Sequence, residues 1–263
     1  MTVEVVFQEA SFFKKIIDSL KGLVDEVTFE CTVQGMSVQA IDVSHVSLIY
    51  IELPQDSFQS FRCTEPTKLA FNIDTLAKLF KSISPTDTLT IKADKDEDIE
   101  MQLNSPNDDK STQFRLKLID IQTESVNIPE HIYKAKLTIS ANAFNQLIRS
   151  LSDLDDSTTV RCNEGQIQFS SSDDSVEATT SFNAGITPDK IEDEVEVEVT
   201  EACKVSYGLR YLKAISAASS LSNRVSLSFS PHFPLLVEYP LGSGGFVQFY
   251  LAPKVDEDES DED

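Results

Sequence analysis

The chain has 263 residues, of which 40% are hydrophobic, and a formal net charge of −22. This length suits one large domain or two of ordinary size, with enough apolar side chains to build a core. No run of about 18 apolar residues occurs, and no basic segment precedes an apolar one at the N-terminus, so we expect an intracellular protein without a membrane span or secretory signal.

Four segments show the apolar spacing of a short amphipathic helix. We predict helices over 11–21, 74–83, 141–151 and 206–219. Asp74 and Ser140 are the predicted N-caps of the second and third helices, because short polar side chains satisfy the first amides of a helix.

Strand-like sequence fills the intervals between these helices. Apolar and polar residues alternate over 99–103, 195–199 and 225–229, a pattern typical of half-buried strands. Denser apolar runs at 46–53 and 235–239 are predicted strands as well. Strands therefore dominate, and the fold class is α+β.

The helices recur at a nearly constant interval, which indicates internal duplication. Their anchoring residues Phe12, Leu76, Phe144 and Leu209 are separated by 64, 68 and 65 residues. The halves also resemble each other locally, since GMSVQA at 35–40 matches GQIQFS at 165–170. We predict two duplicated domains, each with two helices packed on antiparallel sheets.

A connector divides the two halves. Residues 119–133 contain Pro129 and show no clear period, so we predict an N-terminal domain at 1–118, a connector at 119–133 and a C-terminal domain at 134–255. Seven of the eight residues 256–263 are acidic, which predicts a disordered tail. Such a tail either attracts basic partners or only aids solubility.

Basic residues concentrate in the four predicted helices, which carry a charge of +6 within a chain of −22. They are Lys14, Lys15, Lys21, Lys78, Lys81, Arg149, Arg210 and Lys213. Because the apolar stripe of each helix faces a sheet, the opposite faces would form a positive surface that attracts phosphate regardless of base sequence. An ordinary solvated helix face explains the pattern equally well, since lysine favours helices.

No motif nominates a catalytic residue. The four cysteines form no CxxC pair, and the three histidines have no metal-binding spacing. Phosphate-binding and hydrolase signatures are also missing from the sequence. We therefore expect reduced thiols, no cofactor and no metal.

Several segments resemble the eukaryotic DNA sliding clamp family. They are DVSHVSL at 42–48, RC at 62–63, NIDTLAKLFK at 72–81, PN at 106–107 with Lys110, the connector at 118–133, LRYL at 209–212 and LAPK at 251–254. They occur in family order across nearly the whole chain, and together they are highly specific. The resemblance implies a closed homotrimeric ring in the nucleus, with the basic helices facing encircled double-stranded DNA and no enzymatic activity.

The resemblance also implies partners and the residues that meet them. An ATP-driven clamp loader would open the ring, and DNA polymerase and other proteins would bind through a Gln-x-x-aliphatic-x-x-aromatic-aromatic motif. The implied pocket for this motif consists of Ile41, His45, Val46, Leu48, Val126, Ile128, Pro129, Pro234, Tyr250, Ala252 and Pro253. Core packing is the alternative interpretation of its apolar members.

Two predicted strand edges would join neighbouring subunits. One is 110–117, with Phe114 as its anchor, and the other is 175–183. The interface residues are Lys110, Phe114, Glu177 and Thr179. A head-to-tail pairing of these edges would close a ring and cover backbone groups that otherwise promote aggregation.

One position departs from the family pattern. Many eukaryotic members carry a modifiable lysine just after the cysteine that corresponds to Cys162, whereas Asn163 and Glu164 follow here. Ubiquitin or SUMO attachment at this site is therefore not predicted.

Two other interpretations of the whole chain stay open at this point: an acidic histone chaperone, and a subunit of the related heterotrimeric checkpoint clamp.

Overall fold

The computed structural model describes residues 2–94, 98–107, 109–117, 119, 126–173, 175–185 and 194–254. The chain divides into two compact units. The first unit contains Met1–Asn127 and Pro240–Val247, and the second contains Ile128–Tyr239 and Gln248–Asp263. The predicted tail at 256–263 and residues 120–125 of the predicted connector lie outside the described residues.

Within the described residues, one order of strand, helix and three strands recurs four times. The first unit contains β1 (Val3–Phe7), α1 (Ala10–Leu20), β2 (Glu26–Thr32), β3 (Gly35–Ile41), β4 (Ser47–Pro54), β5 (Ser60–Cys63), β6 (Thr67–Asn72), α2 (Ile73–Leu79), β7 (Thr88–Ala93), β8 (Ile99–Asn104) and β9 (Ser111–Leu116). The second contains β10 (Ala135–Ser140), α3 (Ala141–Ser152), β11 (Ser157–Asn163), β12 (Gln166–Ser172), β13 (Glu177–Asn183), β14 (Glu196–Val199), β15 (Cys203–Gly208), α4 (Leu209–Ser216), β16 (Arg224–Phe229), and most of β17 (Leu235–Pro240) and β18 (Phe246–Leu251). Only β5 and β14 stand outside the fourfold pattern.

The strands of each unit exchange partners between its two repeats. In the first unit the strand orders are β5-β1-β7-β8-β9 and β6-β2-β3-β4, and in the second they are β14-β10-β16-β17-β18 and β13-β12-β11-β15. The strand before each helix thus pairs with the strand after the other helix of the same unit, always antiparallel. The predicted α+β fold with four helices on antiparallel sheets is confirmed.

The helix N-termini also bond to the other repeat of the same unit. The first amide of each helix donates to a backbone carbonyl just before the strand that follows the other helix. These bonds run from Ala10, Ile73, Ala141 and Leu209 to Asp87, Asp25, Asn223 and Asp156, with N···O distances of 2.7, 2.8, 2.8 and 2.8 Å. Because the first amides of a helix have no partner within it, these bonds satisfy a donor and fix each helix to its neighbouring repeat.

Helix boundaries and caps differ from the predictions. The second and fourth α-helices end at Leu79 and Ser216 rather than at 83 and 219, because 3₁₀ turns follow them. The fourth helix begins at Leu209 rather than at 206, because residues through Gly208 belong to β15 and pair with β11. Asp74 is not an N-cap; Asn72 is, and its side-chain oxygen accepts from the Thr75 amide at 3.0 Å. The prediction of Ser140 as the cap of α3 is confirmed by its bond from the Ala143 amide.

The core of the first unit is a cluster of phenylalanines. Phe13 on α1 lies 5.1 Å from Phe7, 5.7 Å from Phe29 and 5.5 Å from Phe80, measured between ring centroids. All four side chains are at most 2% exposed. Removing such a ring from a packed core typically costs about 3–5 kcal/mol, so this cluster anchors α1 to its sheets.

Candidate functional sites: basic helix faces, edge strands and connector surface

The basic side chains of the helices reach solvent. Seven of the eight predicted DNA-facing residues are exposed, and Lys14 is half-buried. Two lie just beyond regular α-helix: Lys21 is the C-cap of α1, and Lys81 lies in the 3₁₀ turn Phe80–Ser82. Most apolar side chains of the same helices are buried, so each helix presents its charges away from its own core.

Within the described part of the chain, Lys14 and Arg210 contact other side chains. Lys14 forms an ion pair with Asp18 one turn later on α1, and such a surface pair is worth less than about 1 kcal/mol. The guanidinium of Arg210 lies 4.9 Å from the ring centroid of Tyr211 and donates to its hydroxyl at 3.2 Å. Arg210 is therefore oriented by its neighbour, whereas the Lys14 charge is partly compensated.

The two helices of each unit contact one another. In the second unit, the Asn145 amide on α3 donates to the Ser216 carbonyl and the Ser219 hydroxyl, both at 3.0 Å. This bond pair ties α3 to the C-terminal end of α4. Arg149 on α3 and Arg210 and Lys213 on α4 are consequently carried by one rigid helix pair.

The predicted interface strands β9 and β13 are both terminal strands of their sheets. Each alternates exposed and half-buried side chains along its whole length, with no fully buried residue. Phe114 is half-buried, whereas Lys110, Glu177 and Thr179 are exposed. One side of each strand therefore offers backbone donors and acceptors to another chain.

A cavity of about 500 Å³ lies beside β9 in the first unit. Its apolar lining comes from Phe71, Leu79, Phe114, Leu116 and Ile119. Leu79 shares the apolar spacing of Leu76 and Phe80 on the second helix, yet its side chain is half-buried and faces this cavity. Helical spacing alone does not distinguish a core position from one that lines a surface recess.

A buried carboxylate shapes the loop that carries His45 and Val46. The Asp42 side chain, 5% exposed, accepts from the amides of Ser44, Val46 and Ser47 at 2.9, 2.7 and 2.5 Å. This holds His45 in a left-handed conformation with φ of 55° and leaves its side chain exposed. Sequence analysis quoted Asp42 only within a motif, although an aspartate followed by small polar residues signals such a turn.

Gln39 attaches Val126 of the predicted connector to β3. Its side-chain amide donates to the Val126 carbonyl at 2.6 Å and its oxygen accepts from the Val126 amide at 3.0 Å. Val126 keeps 42% of its surface exposed, and the cross-strand pair Ile41 and Leu48 is half-buried. Sequence analysis missed Gln39, since a lone glutamine on a strand carries no distinctive pattern.

The second unit holds the other predicted pocket residues, of which Pro129 is exposed and Ile128, Pro234, Tyr250, Ala252 and Pro253 are half-buried. The Tyr133 hydroxyl donates to the Pro234 carbonyl at 3.1 Å. The Tyr250 hydroxyl donates to Gln248 at 3.0 Å, and burial, with Glu238 adding, raises the pKa of this phenol. These bonds orient the Tyr250 side chain and the backbone at Pro234, two members of the predicted pocket.

The ends of this surface are also fixed. The Lys254 amide donates to the Ser206 carbonyl at 2.8 Å, which fixes the chain to β15 just after Ala252 and Pro253. His131 stacks on Phe233 with 3.8 Å between ring centroids, and Tyr133 packs edge-on against His131 at 4.9 Å. Sequence analysis did not find this aromatic group.

Family models match both halves of the chain. The N-terminal domain of proliferating cell nuclear antigen matches residues 2–126, and its C-terminal domain matches residues 127–254. The chain belongs to the proliferating cell nuclear antigen family. A curated proliferating cell nuclear antigen from Chaetomium thermophilum is 33% identical over 258 residues, which cover 98% of this chain and 100% of that relative.

Membership of the proliferating cell nuclear antigen family makes this chain a DNA sliding clamp that acts in DNA replication and repair. The family is a non-catalytic scaffold whose members typically form nuclear homotrimers. Neither a histone chaperone nor a checkpoint-clamp subunit is favoured by a match over almost the whole chain.

Two further findings concern the described residues. They contain no group of three or more His, Cys, Asp or Glu that could hold a metal ion, and no helix long and apolar enough to cross a membrane.

Asn163 and Glu164 are exposed at the turn from β11 to β12. The position after Cys162 is thus accessible on the surface of the unit but offers no lysine.

Proposed function

We propose that three copies of this chain close into a ring around duplex DNA, with the eight basic side chains of the helices facing the phosphates. The observation that carries this proposal is the placement of exposed cations on the faces of α1 to α4 in a chain of net charge −22. A positive helix layer in an otherwise acidic molecule attracts DNA to one surface and repels it from the others.

Charge alone would not hold such a clamp on DNA. Non-specific contacts give a Kd of roughly 10⁻⁴ to 10⁻⁶ M at physiological salt. With a steered association rate of about 10⁸ M⁻¹s⁻¹, the complex would dissociate within milliseconds. Topological closure retains the protein, while the same weak contacts allow it to slide.

Ring closure would use the two terminal strands. We propose that β9 of one subunit pairs with β13 of the next, which would satisfy the open backbone groups of both. Phe114 and the cavity beside it support this arrangement, because they provide an apolar anchor and a recess next to the strand. Lys110, Glu177 and Thr179 would lie along the same seam.

For the partner surface, we propose that a peptide with the Gln-x-x-aliphatic-x-x-aromatic-aromatic motif binds the eleven predicted pocket residues as a short helical turn. DNA polymerase and an ATP-driven clamp loader are the expected carriers. The exposed Val126, the half-buried Tyr250 and the rigid loop at His45 support this site.

The proposal includes nuclear localisation, no catalysis, no cofactor, and domains at 1–118 and 134–255 joined by 119–133.

Retention on circular DNA tests the ring directly. Loaded with its ATP-driven loader onto nicked circles, the protein should survive a high-salt wash and should be lost when the circle is cut once. Native mass spectrometry should show three times the 29.2 kDa chain mass. Equal loss from circular and linear DNA, or a stable monomer at micromolar concentration, would contradict the ring; a monomer would fit a subunit of a heterotrimeric clamp.

The peptide site has its own test by calorimetry. Tyr250→Ala and Ile128→Ala should each weaken binding of the motif peptide about 30-fold, since buried anchors commonly contribute ~2 kcal/mol. Ile132→Ala is the matched control, because Ile132 is 88% exposed and lies outside the predicted pocket. Wild-type affinity in the first two variants would show that the site lies elsewhere.

A further inference from the structure

Two cysteines of the second unit lie directly opposite each other. Cys162 on β11 and Cys203 on β15 are register partners in an antiparallel pair, and both are free thiols. Directly paired residues project to the same face, with Cα atoms about 4.5–5.5 Å apart. A disulfide spans Cα separations of about 4.4–6.8 Å, so the backbone already places these residues at bonding range.

The two thiols have different surroundings. Cys162 is 1% exposed, whereas Cys203 is half-buried on β15, the terminal strand of its sheet. Interaction with the Cys203 thiol raises the pKa of Cys162, as does its burial. The same interaction lowers the pKa of Cys203, against the opposing effects of burial and Glu201. Cys203 is therefore the accessible thiol that ionises more readily.

The cysteines of the first unit provide a contrast. Cys31 on β2 and Cys63 on β5 belong to different sheets and are both buried. Burial raises the pKa of each, that of Cys31 to about 12. The Cys63 thiol also donates to the Glu65 carbonyl at 3.0 Å. Neither is a register partner of another cysteine, and neither combines ionisation with access.

We propose that Cys162 and Cys203 form a reversible disulfide when the protein meets hydrogen peroxide. The Cys203 thiolate attacks one peroxide oxygen, the O–O bond breaks, and the departing hydroxide takes up a proton to leave as water. The resulting Cys203 sulfenic acid is then attacked by the Cys162 sulfur. The S–S bond forms, the S–O bond breaks, and the departing hydroxide takes the Cys162 proton. One peroxide and two thiols thus yield one disulfide and two waters.

The bond would join β11 covalently to the strand that leads directly into α4. It closes a loop of about 40 residues, for which a disulfide is expected to stabilise the fold substantially. Intracellular disulfides are usually transient and redox-sensing, which fits a bond that thiols can reverse. The oxidised form would hold the base of the helix that carries Arg210 and Lys213 more firmly than the reduced form.

Peptide mapping of the full-length protein tests this reaction. After brief treatment with a small molar excess of hydrogen peroxide and alkylation, the non-reduced digest should contain the Cys162–Cys203 linkage, with Cys31 and Cys63 alkylated. The melting temperature should rise by about 5 °C or more and return after dithiothreitol. A Cys203 that stays fully alkylatable, or one that becomes linked between chains, would overturn the proposal.

Three serine variants distinguish the steps. Cys203→Ser should abolish both linkage and peroxide-dependent stabilisation. Cys162→Ser keeps a hydroxyl that can donate to Cys203, so a Cys203 sulfenic acid should accumulate and be trapped by dimedone. Cys63→Ser is the matched control and should form the linkage at the wild-type rate. Absence of the trapped sulfenic acid, or loss of linkage in the control, would refute the assigned roles.

Discussion

The two units follow one plan with different interiors. At the fourth position of the longer helix each has a buried phenylalanine, Phe13 on α1 and Phe144 on α3. Phe13 packs among three other phenylalanine rings, whereas Phe144 lies on a helix face completed by Leu147, Ile148 and Leu151. The exchanged strands and helix-terminal bonds are the same in both. Backbone pairing, rather than particular core side chains, therefore preserves the plan.

The largest expected effect is a loss of stability, and it should differ between the cores of the two units. Phe13→Ala and Phe144→Ala should each lower the free energy of unfolding by about 3–5 kcal/mol. Phe13→Ala should cost about 1–2 kcal/mol more, because it also loses aromatic pairs. Urea unfolding at fixed protein concentration measures both, and Lys68→Ala on the surface is the control. Equal losses would mean that the ring cluster adds nothing beyond buried area.

The next largest effect concerns subunit assembly through the terminal strands β9 and β13. Phe114→Ala on β9 should weaken subunit assembly about 30-fold, as expected for an apolar anchor worth ~2 kcal/mol. Thr179→Ala on β13 should weaken it only slightly, because it removes a small exposed side chain. Sedimentation across a concentration series measures both, and Ile132→Ala, an exposed position outside both strands, is the control. A stronger effect from Thr179 than from Phe114 would move the anchor to the other strand.

The helix pairs should contribute to DNA binding in similar measure. Replacing Lys15 and Lys78 in the first unit, or Arg149 and Arg210 in the second, should lower the salt dependence of DNA binding by roughly 0.9 per lost phosphate contact. Binding to a fixed duplex across a salt series gives the slope. Lys68→Ala serves as control, since that lysine pairs with Glu30 on a strand. An unchanged slope in either double variant would remove that helix pair from the DNA surface.

The smallest effect contrasts two buried tyrosines of the second unit. The Tyr239 hydroxyl donates to the Ile215 carbonyl at 3.2 Å, whereas the Tyr207 hydroxyl has no partner among the described residues. Tyr207→Phe should therefore stabilise the protein by about 1 kcal/mol, and Tyr239→Phe should destabilise it by about as much. Urea unfolding near neutral pH compares them, and a loss of stability in Tyr207→Phe would indicate a hidden partner.

The pH dependence of stability tests the same pair. Burial raises the pKa of both phenols, so both stay neutral in the folded chain at pH values where the unfolded phenols ionise. The unfolded state then binds fewer protons, and stability should fall as the pH rises above about 10. Each phenylalanine variant should lose less stability than the wild type between about pH 9 and pH 11. An identical alkaline loss in wild type and variants would contradict this assignment.

Periodicity predicted the four helices, the predominance of strands and the internal duplication, because these depend on local patterns of burial. It extended the fourth helix too far, since Ser206 and Gly208 are held in β15 by pairing with β11, a distant interaction. It chose Asp74 over Asn72 as a cap because both are good capping residues. The placements of Gln39, Asp42 and Leu79 depend on tertiary contacts that no local pattern reveals.

The sequence also carries a pattern of Asp and Asn residues that sequence analysis did not use. Asp25, Asp87, Asp156 and Asn223 each stand directly before the strand that follows a helix, and each offers its carbonyl to the first amide of another helix. The proposed DNA and partner residues are known from the sequence only through charge and family resemblance. Charge identifies a surface, and resemblance proposes its ligand.

The exchange of strands between repeats governs when the protein can fold during synthesis. Val3 on β1 pairs with Cys63 on β5 and with Ala93 on β7, so the first strand must wait for some 90 residues to be made before both of its partners exist. No single repeat can complete its own sheets or satisfy its own helix terminus. A nascent first repeat therefore leaves the ribosome with its apolar faces uncovered, and we expect a chain truncated after β5 to need chaperones and to be degraded rather than to accumulate as a half-sized folded fragment.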